Sequence, residues 1–370
     1  MTDALQRTAL YDEHLSLNGR IVPFAGWELP VQYDGLGPTV EHQAVRSNAG
    51  LFDIDHMGQV EVTGPDALAF LQHVQVGDLS QLKAPEARYS LLCYADGGIV
   101  DDIFVYHVDV DRWWVVINAS NRKKDVAWLQ AHAHGFDVQA TDISDSTYML
   151  ALQGPKAEAI LQRHTPANLA EMPFHTCVET EVAGIPTLIG ATGYTGEYGY
   201  ELFFPVEHAV TLWRTLLQSG KYDGLVPCGL AARDSLRFEP CLPLYGHEID
   251  QDVDPISARL GWAVSFDKGD FIGRDALLKI KLEGPSDLLV GFEMVEKGVP
   301  RGGYQVAIDG VARGEVTTGM KSPTTGRFVG LAYVPADHAK LGSTIDILIR
   351  DQAKQAVVVK RPFYVAAYRR

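Results

Sequence analysis

Two patterns of apolar residues divide the chain. From residue 288 onward, short β-rich runs recur at regular spacing, at 288–294, 304–308, 314–318, 329–334, 344–349 and 355–359. Asp309-Gly310 is a hairpin turn signal, and the series predicts a small antiparallel barrel or sandwich. Glu283-Gly284-Pro285-Ser286-Asp287 reads as a linker, so the expected domains are 1–282 and 288–370. Before the linker, helices and strands mix without the regular alternation of a doubly wound sheet, an α+β pattern. Strands are predicted at 59–62, 89–94, 99–108, 113–118, 149–153, 187–190 and 200–204. Helices are predicted at 41–48, 65–74, 122–132, 157–163, 206–217, 227–239 and 275–282. The Gly and Pro of Phe24-Ala25-Gly26-Trp27-Glu28-Leu29-Pro30 argue against a long regular element there, and Gly50 is expected to end the helix before it.

The strand at 99–108 carries two adjacent aspartates behind a turn, in Gly97-Gly98-Ile99-Val100-Asp101-Asp102. Alternate strand residues face opposite ways, which puts Asp102 with Val100, Phe104 and Tyr106, and Asp101 with Ile99, Ile103 and Val105. An ionised carboxylate among apolar and aromatic side chains is costly unless paired, so a bound polar ligand is one explanation. Strand-end carboxylates satisfied by backbone N–H groups near the turn are the other.

Gly193-Tyr194-Thr195-Gly196-Glu197-Tyr198-Gly199-Tyr200-Glu201 has glycine at every third position. It is not G-x-G-x-x-G, and a strand rather than a helix follows, which speaks against a phosphate cradle. It reads either as a tight connection that brings backbone close to a flat ligand, with Tyr194 and Glu201 at its edges, or as a Gly-rich hairpin with two solvent-facing glutamates. On the helix that follows Pro227, Arg233 and Arg237 share a face, so an anion is expected beside them. Asp234 and Glu239 supply one in the plainer reading; a carboxylate-bearing ligand in an arginine fork supplies it in the other. His132-Ala133-His134 cannot share a helix face and reads as surface, and His56 as a core or hydrogen-bonded residue. No Gly-x-Ser-x-Gly elbow is present and no thiol sits beside an evident base, so covalent catalysis has no support.

Composition narrows the field. Net charge is −15 over 370 residues, which argues against a nucleic-acid binder. No run approaches the ~18 apolar residues of a membrane span. The start, Met1-Thr2-Asp3-Ala4, has no basic region followed by an apolar core, so a cytoplasmic protein is expected. Cys93, Cys177, Cys228 and Cys241 are scattered without a C-x-x-C pair, which predicts reduced thiols and no cysteine zinc site; no metal is expected.

Several segments gain weight from their order. Phe24-Ala25-Gly26-Trp27-Glu28, Gly50-Leu51-Phe52-Asp53, His56-Met57, Gly97-Gly98-Ile99-Val100-Asp101-Asp102 and Leu152-Gln153-Gly154-Pro155 come first. Thr192-Gly193-Tyr194-Thr195-Gly196-Glu197, Cys228-Gly229-Leu230-Ala231-Ala232-Arg233-Asp234, Leu244-Tyr245-Gly246 and Ser322-Pro323-Thr324 follow. Together they resemble the T-protein family of the glycine cleavage system, the tetrahydrofolate-dependent aminomethyltransferases. The resemblance implies a three-lobed cloverleaf around a central folate cavity, with a C-terminal antiparallel β-barrel. It implies that the one-carbon unit passes from the aminomethyl-dihydrolipoyl H protein to tetrahydrofolate, giving 5,10-methylenetetrahydrofolate, ammonia and the dihydrolipoyl carrier. By motif position Asp102 matches the family's catalytic aspartate, and Glu201, Arg233 and Tyr368 its substrate-contacting residues. Tyr89, Asn118 and Tyr194 match further pocket lining. The folate nitrogen is itself the nucleophile, so positioning and charge stabilisation replace a catalytic serine or cysteine.

Two other functions are open: another tetrahydrofolate-dependent demethylase on the same fold, or a non-catalytic folate-binding accessory protein. The second would carry a cysteine where this chain has Gly193-Tyr194-Thr195. Three positions depart from the family pattern: Asp55 where Ser is usual, Pro240-Cys241 where Ala-Gly is common, and Thr318 where Ser is frequent. The expected partner is the lipoyl-bearing H protein, bound transiently. Such carriers tend to be acidic, which makes Arg122-Lys123-Lys124 a candidate contact patch.

Overall fold

The computed structural model describes residues 4–366. The six apolar runs after the linker close into one antiparallel barrel, in the order Asp287–Met294, Phe328–Pro335, Val311–Lys321, Gln305–Ile308, Thr344–Ile349, Gln352–Val359. Closure leaves no sheet edge exposed. Val290, Phe292, Val316, Val334 and Ile347 fill the interior.

Upstream, the chain interleaves two sheets. Ala49–Asp53 enters a six-stranded sheet ordered Cys177–Val182, Ile185–Gly190, Gly199–Pro205, Thr147–Gln153, Ala49–Asp53, Leu225–Cys228. The next strand, Gly58–Thr63, joins a second sheet ordered Ala87–Cys93, Ile99–Asp109, Arg112–Ile117, Gly58–Thr63, Gln139–Asp142. Helices Ala157–Leu161 and Ala209–Gly220 cover the outer face of the first, and Ala67–Val74 and Arg122–His132 that of the second. Phe52, Tyr106, Val116, Met149 and Phe203 pack between the inner faces. Both faces of the central strands are therefore buried, which is why Tyr148-Met149-Leu150-Ala151-Leu152 is continuously apolar rather than alternating. Two lobes and the barrel thus give the α+β, three-part architecture. Among the described residues no helix is long and apolar enough to cross a membrane.

Several expectations change in detail. Phe24 to Pro30 is not irregular: Gly19–Phe24 and Trp27–Tyr33 form a hairpin turned by Ala25 and Gly26, both with positive φ (48° and 85°). Two left-handed residues match the twist of such a turn. A one-residue bulge, between the pairs Arg20–Gln32 and Ile21–Pro30, accommodates the proline. Gly50 lies inside a strand, and the helix before it, Pro38–Ser47, ends earlier. Pro227 and Cys228 belong to the edge strand Leu225–Cys228, where a missing N–H is tolerated, and the helix begins only at Leu230. Cys177–Val182, broken by two glutamates, and the short Gln139–Asp142 are edge strands that the apolar pattern did not mark.

Candidate functional site

Asp102 owes its placement to a bulge. In the ladder between Ala87–Cys93 and Ile99–Asp109, Leu92 opposes Asp101 and Cys93 opposes Ile99, so Val100 is unopposed. Val100 therefore joins Ile103 and Val105 under the helices and does not share the face of Asp102, as strict alternation predicted. Asp102 turns inward with Phe104 into a cavity of about 710 Å³ between the two lobes and the barrel.

Tyr89, Asp102, Asn118, Tyr194, Glu201 and Arg233 all line this cavity. Tyr368, the remaining expected contact, lies outside the described residues. Asn118 Nδ2 donates to Asp102 Oδ1 at 2.7 Å, and the Tyr89 hydroxyl to Oδ2 at 3.2 Å. Burial, then the neighbouring charge of Asp101, pushes the Asp102 carboxyl up to about 7. Asp101, on the opposite face, accepts from the Asn118 N–H and Nδ2 at 2.9 Å each and from Asn121 Nδ2 at 2.7 Å. Its carboxylate is thus satisfied within the fold and orients Asn118. Asp125 lies beneath, in the helix Arg122–His132, and burial followed by Asp101 pushes it up to about 11. It stays protonated there and adds no second negative charge.

Glu201 sits in the opposite sheet. The hydroxyls of Thr192 and Tyr106 donate to its Oε2 at 2.6 and 2.9 Å, leaving Oε1 free of any hydrogen bond to a described residue. Tyr194 donates its hydroxyl to the Pro243 carbonyl, and the Arg233 guanidinium carbon stands 4.8 Å from the Tyr194 ring centroid. The glycine spacing of this loop has a specific cause. A Cβ on Gly193 would lie 2.0 Å from Gln153 Oε1, and one on Gly199 2.5 Å from Gln153 Nε2. The small residues admit the buried Gln153 amide, which bonds the Thr192 carbonyl and the Thr195 hydroxyl at 3.0 and 2.9 Å. The close approach is to the protein's own side chain rather than to a ligand. Nor are the glutamates solvent-facing: Glu197 is buried against Arg46 at 2.9 Å.

The arginine pair splits. Arg237 is fully committed, to Asp234 at 2.8 Å and to Glu248 at 2.6 Å, and Thr318 bonds this same pair. Glu239 turns instead to Arg46 at 2.7 Å, within a buried network with His42, Ser322 and Thr324 that ties the helices Pro38–Ser47 and Leu230–Phe238 to the barrel. Arg233 forms no ion pair with a described residue, and burial pushes its guanidinium down. It is a desolvated cation facing the cavity.

His56 is buried as expected, yet it belongs to the cavity wall. Its Nδ1 has no partner among the described residues, and burial, then Arg233, pushes its imidazole down to about 3. Sequence patterns alone also passed over Trp262, which is 71 % exposed and stacks on Tyr89 at 5.6 Å. Asp55 does not reach the wall. It accepts from the Met149 N–H at 3.3 Å, and burial followed by Asp53 pushes it up to about 8. Pro240 and Cys241 do line the cavity, with Pro240 packed on Gly196. The basic run Arg122-Lys123-Lys124 is mostly used internally: Arg122 pairs with Asp142 and Asp145, and Lys124 bonds the Val100 carbonyl. Only Lys123 is exposed. Among the described residues no cluster of His, Cys, Asp and Glu has the geometry of a metal site.

Comparison with known proteins is consistent along the chain. Residues 10–268 match the family model for the GCVT N-terminal domain, and residues 288–364 that for the glycine cleavage T-protein C-terminal barrel domain. An aminomethyltransferase of Symbiobacterium thermophilum is 48% identical over 377 aligned positions, covering 100% of both chains. One of Bacillus subtilis is 47% identical over 362, covering 97% of this chain and 99% of that one. The crystal structure of the glycine cleavage system aminomethyltransferase T from Bartonella henselae superposes with a TM-score of 0.92 at 35% identity, covering 98% and 99% of the two chains.

Proposed function

The chain belongs to the T-protein family of the glycine cleavage system, the aminomethyltransferases, and from that premise we propose that it transfers a one-carbon unit from the aminomethylated lipoyl arm of an H protein to tetrahydrofolate. The carbon leaves the lipoyl sulfur and becomes bonded to two folate nitrogens, ammonia departs, and the carrier is left as its dihydrolipoyl form. The observation that carries this reading is the convergence on one cavity of Asp102, Glu201, Arg233 and three polar or aromatic side chains from separate elements. The donor set suits a reduced pterin. Glu201 Oε1 accepts ring N–H groups, Phe104, Tyr89 and Tyr194 offer flat apolar surface, and about 710 Å³ holds a ligand of this size.

Asp102 is the group that answers the reaction's charge changes. With its carboxyl at about 7, it holds a proton or gives one up at Oδ1 or Oδ2 without a large energetic barrier near neutral pH. Asn118 and Tyr89 fix the direction in which those oxygens point. No covalent intermediate on the protein is needed, in line with buried cysteines whose thiols burial pushes up.

The test is formation of 5,10-methylenetetrahydrofolate and ammonia from aminomethylated lipoyl H protein, with Asp102→Asn alongside. Product from the wild type, and at least 100-fold less from a folded variant that still binds folate, is expected. Tight folate binding without product from this donor would transfer the reading to a different one-carbon donor or to a non-catalytic folate protein.

A further inference from the structure

Beneath the cavity lies a buried acid that the reaction above does not use. On the helix Arg122–His132 the inward face is formed by Leu129 and, one turn earlier, Asp125. Asp125 is fully buried, and no N–H or O–H group of a described residue donates to either of its carboxyl oxygens. It hydrogen-bonds instead the carboxyl of Asp101, on the strand Ile99–Asp109. Two carboxylates have no hydrogen to share, so one of the two acids carries a proton.

The donors around the pair decide which. Asp101 accepts from the Asn118 N–H and Nδ2 at 2.9 Å each and from Asn121 Nδ2 at 2.7 Å. It also stands at the N-terminal end of the turn Ala119–Asn121, which leads into the helix. Both features favour a carboxylate there. Asp125 has no such donors, so it holds the proton and gives its hydrogen bond to Asp101. Lys124 Nζ lies 3.8 Å from Asp125 Oδ1, but its hydrogen bonds go to the Val100 carbonyl and, at 3.3 Å, to the Tyr245 hydroxyl. The other titratable groups facing Asp125 are Asp102, Tyr94 beyond the strand Ala87–Cys93, and Tyr245. None of the three is a cation.

The pair reaches the cavity through one amide. One hydrogen of Asn118 Nδ2 goes to Asp101 Oδ1 and the other, at 2.7 Å, to Asp102 Oδ1. Asp125, Asp101, Asn118 and Asp102 thus form a chain from the helix to the cavity wall. A leucine at 125 would suit the helix face as Leu129 does, and would bury no polar oxygen. What the acid adds is a hydrogen bond that draws part of the Asp101 charge away from Asp102. Asp102 otherwise faces Tyr89 and Tyr194, which bring no charge of their own.

We propose that Asp125 is a positioning residue for the one-carbon transfer: it keeps the proton of the Asp101–Asp125 pair and uses it to hold Asp101 as the anion that fixes the Asn118 amide against Asp102. The inference rests on the transfer reading and adds to it a buried group that acts on Asp102 without touching a ligand. Two substitutions separate this role from simple packing. Asp125→Asn keeps an uncharged N–H donor towards Asp101, and Asp125→Leu removes it.

The experiment follows the infrared carbonyl stretch of undissociated acid from pH 5 to 9 in the wild type, Asp102→Asn, Asp125→Asn and Asp125→Leu. The pH profile of kcat/KM for 5,10-methylenetetrahydrofolate formation is measured alongside. An acid band is expected to survive at pH 9 in the wild type and in Asp102→Asn, and to be missing from Asp125→Asn. The titrating band that Asp102→Asn lacks reports Asp102. It should stay in place in Asp125→Asn and move up by about half a pH unit or more in Asp125→Leu, with the kcat/KM profile moving alike. Asp125→Ala supplies the donor-free comparison if the leucine variant does not fold. An Asp125 that is ionised in the wild type gives the reverse sign, because Asp125→Asn then removes a negative charge and lowers the Asp102 titration. That result, an equal shift in the Asn and donor-free variants, or no shift in the donor-free variant overturns the proposal. The infrared readout needs no substrate, so these failures leave the transfer reading standing. A wild type that forms no product overturns the transfer reading and, with it, the positioning role.

Discussion

Replacing Asp102 by Asn should make the protein more stable, and increasingly so as pH rises. An unfolded aspartate titrates near about 3.9. Folded, Asp102 does so at about 7, because burial and Asp101 disfavour its charge. A carboxyl with a raised folded value contributes stability that is fully present below about pH 3.9 and is lost as pH climbs through about 7. At roughly 1.4 kcal/mol per tenfold change in proton affinity, holding Asp102 at its raised value costs about 2 kcal/mol at pH 5, where it must take up a proton on folding, and about 4 kcal/mol at pH 8, where it must be buried ionised. Asn keeps the shape: its oxygen accepts from Asn118 Nδ2, as Asp102 Oδ1 does at 2.7 Å, and its amide meets the Tyr89 hydroxyl. The assay is urea unfolding, followed by circular dichroism at pH 5, 6, 7 and 8. The variant's advantage should grow by about 2–3 kcal/mol across that range and level off above pH 7. An advantage independent of pH, or one that shrinks as pH rises, would refute the argument that Asp102 is held against its preferred charge. A cavity-lining carboxyl kept at such a cost fits the reacting role proposed for Asp102.

Glu239 carries the opposite sign. Burial alone would raise it, but His42, Ser322 and Thr324 hold it down at about 2, so its contribution is present above about pH 4.5 and lost as pH falls towards 2. Glu239→Gln should therefore cost about 3 kcal/mol at pH 7, with the difference shrinking to roughly half or less at pH 3; thermal unfolding from pH 7 to 3 measures it, and a gap as large at pH 3 as at pH 7 contradicts the assignment. Gly193→Ala should destabilise the protein by about 1–3 kcal/mol, because the new Cβ falls 2.0 Å from Gln153 Oε1 in a side chain that cannot swing away. Pairing it with Gln153→Ala relieves that contact, so a double-mutant cycle should show clear coupling; strict additivity would mean the amide is not what the glycine accommodates.

The chain's own pattern determined most of the element types and the barrel, and its motifs named the candidate site residues. Period-two runs with a turn at Asp309-Gly310 were enough for the six barrel strands, because strand patterning and turn chemistry are local. Asp102, Glu201, Arg233, Tyr89, Asn118 and Tyr194 were legible from their motifs, and the fold gathers all six around one cavity. What the tertiary structure decided was which partners these groups take. Two adjacent aspartates have nearly identical local surroundings in the sequence. Only the bulge at Val100 and the placement of Asn118 make one a satisfied structural carboxylate and the other a perturbed one in the cavity. Likewise Arg233 and Arg237 share a helix face, but Glu248 arrives from a later loop to neutralise one, while Glu239 is taken by Arg46 from a distant helix. Pairing of charges depends on distances of a few ångströms between segments far apart in the chain, and burial sets what each unpaired charge costs. Local pattern carries neither quantity, so the candidate residues could be named from the sequence, and their shared cavity, protonation and partners only from the fold.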